Sequence, residues 1–174
     1  MRRLILLRHA KSDWPDGVPD SDRPLSRRGR EAAPRMAAYL AEEGLRPDHA
    51  LVSPARRTQE TWSLVAPALP GAAQETVPAL YEASAKRLLD VVRGADDAVA
   101  TLLLLGHNPG LQEFGQLLLA DEDRDGLRAL SRKFPTAAVA VIDLAVGAWA
   151  EVAPHSGTLE RFITPKALGA GEDD

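Results

Sequence analysis

The 174-residue chain has the length of one ordinary domain, and with 45% hydrophobic and 26% charged residues it can bury a core large enough to offset chain entropy, which excludes global disorder. Zero cysteines exclude a disulfide framework, a thiolate nucleophile and any Cys-ligated zinc or iron–sulfur site. A net charge of −4 gives no overall field favouring nucleic acid, although only four of the 21 basic residues are lysine, at 11, 86, 133 and 166, and the rest are arginine, whose fork matches phosphate oxygens two at a time.

Residues 4–7 form a four-residue apolar run closed by Arg8, far too short for a signal-peptide core or a membrane span, so the cytoplasm is the expected location. A continuous run of this kind reads as a strand covered on both faces, and residues 101–105 are a second one. Between them, Ser26 can cap a helix to about residue 43, with Ala32, Ala33, Met36, Ala37 and Leu40 inward and Gly44 as the stop. Pro34 lies past its first turn and predicts a late start or a kink. Residues 50–52 read as a strand. Ser53 as cap and Pro54 as first helical residue then open a helix to about residue 65. A short strand at 76–77 and a helix over 85–93 with Leu88, Leu89 and Val92 buried come next. After the second apolar strand, 111–120 is helical and 121–125 reads as a solvated acidic loop. Residues 136–144 and 149–152 flank Gly147 as a hairpin, and 166–174 read as a flexible tail beyond a single domain of residues 1–165. The alternation predicts an α/β fold: a three-layer sandwich with a mainly parallel sheet, an antiparallel edge and helices on both faces.

Each apolar strand is followed at once by a polar turn with a histidine: Arg8-His9-Ala10-Lys11-Ser12-Asp13 after the first, Gly106-His107-Asn108-Pro109-Gly110 after the second. Ligands of open α/β sheets bind beyond the carboxyl ends of the strands, so His9 and His107 can meet in one crevice. A neutral imidazole beside a guanidinium suits attack on phosphorus with the nonbridging oxygens held. The segment 53–61 adds a helix N-terminus with Arg56 and Arg57 on its first turn. Adjacent helical residues face about 100° apart, so at most one of that pair enters the crevice while the other pairs with a surface carboxylate such as Glu60. His49 and His155 lack comparable settings and read as structural.

Leu6-Leu7-Arg8-His9, the stretch from Arg23 to Gly29, the Ser53 to Thr61 segment and Gly106-His107 resemble, in order and spacing, the histidine phosphatase superfamily, which includes cofactor-dependent phosphoglycerate mutases. The small size, residues 8–14 and Asp22-Arg23-Pro24-Leu25 are most similar to its SixA-type phosphohistidine phosphatase branch. The resemblance implies that His9 is the nucleophile, that Arg8, Arg23 and Arg57 bind phosphoryl oxygens, and that His107 donates to them. It selects Arg57 over Arg56 and implies no metal and no cofactor. Glu82 falls where ester-cleaving members carry a proton-donating glutamate; Asp13 is a second candidate acid. Ala10 departs from the glycine of the superfamily motif and predicts an ordinary backbone there.

The implied substrate is a phosphorylated protein carrying phosphohistidine, or a small phosphoester if Glu82 acts as acid. A noncatalytic phosphate-binding adaptor is one competing reading, and a metal site built from His9, Asp13 and His107 is another. RNA binding through residues 27–30 is the weakest, since no stacking aromatics interleave with those charges.

Overall fold

The two apolar runs become adjacent central strands. In the computed structural model, which describes residues 1–171, β1 (Arg2–Arg8) pairs in parallel with β4 (Thr101–Gly106), Leu4 opposite Leu102 and Arg8 opposite Gly106. Side chains alternate across a strand, so Leu4, Leu6, Leu102 and Leu104 enter one core cluster while Ile5, Leu7, Leu103 and Leu105 enter another. Both faces are buried, and for that reason no polar residue interrupts either run.

The sheet has six strands in the order β3 (Ala73–Thr76), β2 (His49–Val52), β4, β1, β5 (Val139–Leu144) and β6 (Gly157–Ile163). β2 is parallel to β3 and β4, whereas β5 is antiparallel to both β1 and β6. Helices α1 (Arg27–Glu42) and α2 (Arg56–Val65) cover one face with Met36, Leu40, Trp62 and Val65. On the other lie α3 (Ala85–Arg93), α4 (Gly110–Leu118) and α5 (Arg124–Ser131), contributing Leu88, Val92, Phe114 and Leu130. The chain thus forms the expected α/β three-layer sandwich. Among the described residues no helix is long and apolar enough to cross a membrane.

Close approaches of backbone position the loops at the carboxyl end of the sheet. Ser26 Oγ accepts from Gly29 N at 3.1 Å and caps α1, which starts at Arg27 and runs through Pro34 without the delayed start expected. Pro34 is on the exposed face, where water can satisfy the carbonyl it leaves unpaired. A Cβ on Gly29 would sit 2.1 Å from the Lys11 carbonyl oxygen, so only glycine lets the first turn of α1 rest on the loop leaving β1. Gly110 does the same for α4, where a Cβ would lie 2.1 Å from the Ala83 carbonyl oxygen.

Several local expectations are corrected. α2 is preceded by Ala55, and Ser53 does not cap it, because the Ser53 hydroxyl is engaged by His107. Residues 149–152 are not the second hairpin strand: Trp149–Glu151 is a 3-10 turn that buries Trp149, whose Nε1 donates to Val99 O at 2.7 Å. The partner of β5 is β6, absent from the sequence reading because its partly exposed residues carry little apolar signal. Asp123, expected in a loop, caps α5 by accepting from Gly126 N at 3.0 Å. β3 lies earlier than expected and is exposed throughout. Of the expected tail, residues 166–171 lie against α1, with Arg35 Nη1 donating to Gly169 O at 2.6 Å and Leu168 packed on the core; residues 172–174 lie outside the described residues.

Candidate active site

The parallel register that sets Arg8 opposite Gly106 carries the next residue of each strand to the same place. The His9 and His107 rings are 5.4 Å apart between centroids, inclined at 55°. His9 is 6% exposed, and its Nδ1 lies 2.7 Å from the Ala10 carbonyl. A carbonyl only accepts, so Nδ1 carries the proton and Nε2 bears the free lone pair. Ala10 in turn donates its N–H to Thr61 Oγ1 of α2 at 3.0 Å, and its backbone has no positive φ, so alanine fits without strain. Burial holds the His9 pKa well below the ordinary imidazole value, and the positive fields of Arg8, His107 and Arg57 add to that against the Ala10 bond.

His107 is held differently. Its Nε2 lies 2.8 Å from Ser53 Oγ, and the Tyr81 ring packs edge-on at 5.6 Å. Its Nδ1 is buried with no hydrogen-bond partner among the described residues. Burial first, then Arg57, pushes its pKa down to about 4, so this ring too is neutral at pH 7.

Both rings line a cavity of about 410 Å³ with Arg8, Arg23 and Arg57 in its wall. Arg8 Nη1 donates to Phe134 O at 2.9 Å. Arg23 is 7% exposed: Nε donates to Asp13 O at 3.0 Å, Nη2 donates to Ser12 Oγ, and the guanidinium lies 3.3 Å over the centre of the exposed Trp14 ring. Arg57 Nη1 and Nη2 donate to the carbonyl and Oδ2 of Asp20 at 2.8 and 3.1 Å. Arg56, its neighbour, points outward and pairs with Glu60 at 2.7 Å, the division expected from helical geometry.

Asp20, on a 3-10 turn over Asp20–Asp22, joins the arginines. Its Oδ1 accepts from Arg23 Nη1 at 2.9 Å and its Oδ2 from Tyr81 Oη at 2.5 Å as well as from Arg57. The Tyr81 bond, then Arg23 and Arg57, hold its pKa at about 2 against partial burial, while the same bond and burial push Tyr81 up to about 12.

His9, His107, Arg8, Arg23 and Arg57 therefore converge. Glu82 does not join them directly: it is exposed, with φ of 55°, in the wall of a second cavity of about 470 Å³ that shares Asp20, Arg57, His107 and Asn108 with the first. Asp13 is exposed and contributes its carbonyl to Arg23. His49 pairs with Glu75 at 3.1 Å and His155 with Asp121 at 3.6 Å, neither in the cavity wall. Among the described residues no three metal-ligating side chains come together, so His9, Asp13 and His107 do not form the metal site considered from sequence. The sequence reading missed Asp20 and Tyr81; the only local signal was the spacing of three between Asp20 and Arg23, which suits an ion pair on one helical turn.

Residues 4–92 match the histidine phosphatase superfamily (branch 1). The chain belongs to that superfamily. An uncharacterized protein of Mycobacterium tuberculosis is 34% identical over 162 residues, spanning 92% of this chain and the whole of that one. Two solved histidine phosphatase folds are similar along nearly their full length. The putative phosphohistidine phosphatase SixA from Nakamurella multipartitia matches with a TM-score of 0.84 and 28% identity over 94% of this chain and 96% of that one. The putative phosphohistidine phosphatase SixA from Agrobacterium tumefaciens matches with a TM-score of 0.81 and 28% identity over 94% and 98%. Within the superfamily the chain is SixA-like.

Proposed function

We propose that the protein is a phosphatase that hydrolyses phosphohistidine in a protein partner through a covalent phosphohistidine on His9. One observation carries this reading: two neutral imidazoles face one cavity walled by three arginines, and the Ala10 carbonyl commits His9 to the tautomer with a free Nε2. In-line attack by Nε2 forms a bond to phosphorus as the substrate P–N bond breaks, and the departing ring nitrogen keeps the electron pair and takes a proton from solvent. Water then attacks the phosphorylated His9, releasing phosphate and restoring the imidazole.

Charge on the equatorial oxygens is met by Arg8, Arg23 and Arg57, the electrostatic contribution that dominates phosphoryl transfer. His107 adds a neutral donor. Ser53 Oγ lies 2.8 Å from His107 Nε2 and holds the ring in the cavity wall. With this positive wall the reaction calls on no metal or cofactor, and the rate is expected to survive exhaustive chelation. Incubation with a phosphohistidine substrate should place acid-labile, base-stable phosphate on the wild-type chain and none on His9→Ala. A wild-type chain that turns over without such labelling would contradict the covalent route.

A small phosphoester is the second reading, favoured by the position of Glu82 in the cavity adjoining the phosphoryl site. An alkoxide leaves poorly unless protonated, whereas an imidazole does not need that help. Glu82→Gln is therefore expected to depress ester cleavage and spare phosphoramidate cleavage.

A further inference from the structure

The two adjoining cavities differ in charge. Arg8, Lys11, Arg23 and Arg57 line the first; the second keeps only Arg57 of these and adds Glu82 and Glu113. His9, the attacking residue in the proposed reaction, lines only the first. Asp20 belongs to both walls, so a leaving group that extends from a phosphoryl group in the first cavity into the second passes its carboxylate.

That carboxylate is not fully consumed by its partners. A carboxylate offers about four acceptor positions, two per oxygen. Arg57 and Tyr81 take those of Oδ2, whereas Oδ1 accepts from Arg23 alone among the described hydrogen bonds. The side chain remains 44% exposed, so Oδ1 can receive a donor from the cavity side.

Resting on the phosphatase reading, we propose that Asp20 is a specificity-determining residue that selects the charge of the leaving group, accepting an N–H or ammonium donor at Oδ1 and repelling a carboxylate. Glu113 of α4, also in the wall of the second cavity, reinforces the same sign. The preferred substrates are phosphoramidates whose leaving group is neutral or cationic, such as the ring of a histidine flanked by basic residues. Phosphorylated carboxylic acids are disfavoured at the same site.

The test compares kcat/KM for the ring-N-phosphorylated derivatives of histamine and of imidazole-4-acetate, which share the ring and the P–N bond and carry an ammonium and a carboxylate respectively. The wild-type chain is expected to prefer the histamine derivative by roughly tenfold or more, since the Asp20 charge attracts the ammonium of one compound and repels the carboxylate of the other across a partly hydrated cavity. Asp20→Asn should bring the ratio near one, Asp20→Glu should restore most of it, and Glu113→Gln should lower it partway. A wild-type ratio near one overturns the proposal. So does an unchanged ratio in Asp20→Asn, whether both rates rise because the arginines are released or both fall because they lose their brace. Should Asp20→Asn fail to fold, Glu113→Gln, an exposed helix position, decides: an unchanged ratio there overturns the proposal. Hydrolysis of neither compound by the wild-type chain removes the phosphatase reading itself, a result distinct from hydrolysis without discrimination.

Discussion

The cavity is walled by two unlike regions. His9 and His107 stand just past the ends of β1 and β4, where Leu4 to Leu7 and Leu102 to Leu105 are all 0% exposed, and one backbone carbonyl and one buried serine fix the two rings. Arg23 and Asp20 come from the stretch between Ser12 and Leu25, in which residues 13–22 are all exposed. That stretch is fastened by a bridge between Ser12 and Leu25, the two ion pairs of Asp20, its bond from Tyr81 and the stacking of Arg23 on Trp14. Apolar burial positions the proposed nucleophile; polar side-chain contacts position the groups proposed to meet the substrate. Damage to the first region should abolish chemistry, whereas damage to the second should tune it.

The sharpest test of the contrast is His9→Ala, expected to cost on the order of 10⁴-fold or more in turnover and to remove the covalent phosphate. Next comes the pair Arg57→Ala and Arg56→Ala. The first should lose about 10²- to 10³-fold in kcat/KM, as for removal of one charge-stabilising donor, while the second should stay within about twofold. If the two losses were equal, the division of the helix between site and surface would be broken.

The depressed histidines set the pH behaviour. Both rings stay neutral as pH falls through the ordinary imidazole range, so kcat/KM should keep its value below pH 6.5 and decline only toward the His107 value of about 4. Stability follows the opposite course over the same window. Unfolded histidines bind protons near pH 6.5 while the folded ones do not, so the unfolding free energy should decrease on acidification from there to about pH 4, by at most about 1.4 kcal/mol per pH unit per ring. Urea titrations across that range measure it, and a flat profile would contradict the burial of these rings.

Ser53→Ala, which frees the His107 ring, should reduce kcat by roughly tenfold with a smaller change in KM, a share of the usual acid–base and donor contributions. Trp14→Ala in the exposed loop should be mildest, a severalfold rise in KM, because an exposed cation–π contact contributes about 0.5–1 kcal/mol. An effect of Trp14→Ala larger than that of Ser53→Ala would invert the ranking of the two regions.

The same contrast explains what the sequence disclosed. β1 and β4 were legible because burial on both faces demands unbroken apolar runs, and the histidine after each run followed from topology. β6 was not, because Gly-Thr-Leu-Glu-Arg-Phe-Ile lies at an edge and shows no clean two-residue alternation. Ser53-Pro54 carries the local signature of a helix cap, and a tertiary bond to His107, 54 positions away, overrides it. The contact between Asp20 and Tyr81 spans 61 positions, and no local pattern encodes it.

The 2.7 Å contact between His9 Nδ1 and the Ala10 carbonyl also dictates regiochemistry. With the near nitrogen occupied by its proton, a phosphoryl group carried on this ring can reside only on the far one. The trapped adduct should therefore be the tele isomer alone, recognised by isomer-selective antibodies and by its own phosphorus resonance, with no pros form accumulating beside it.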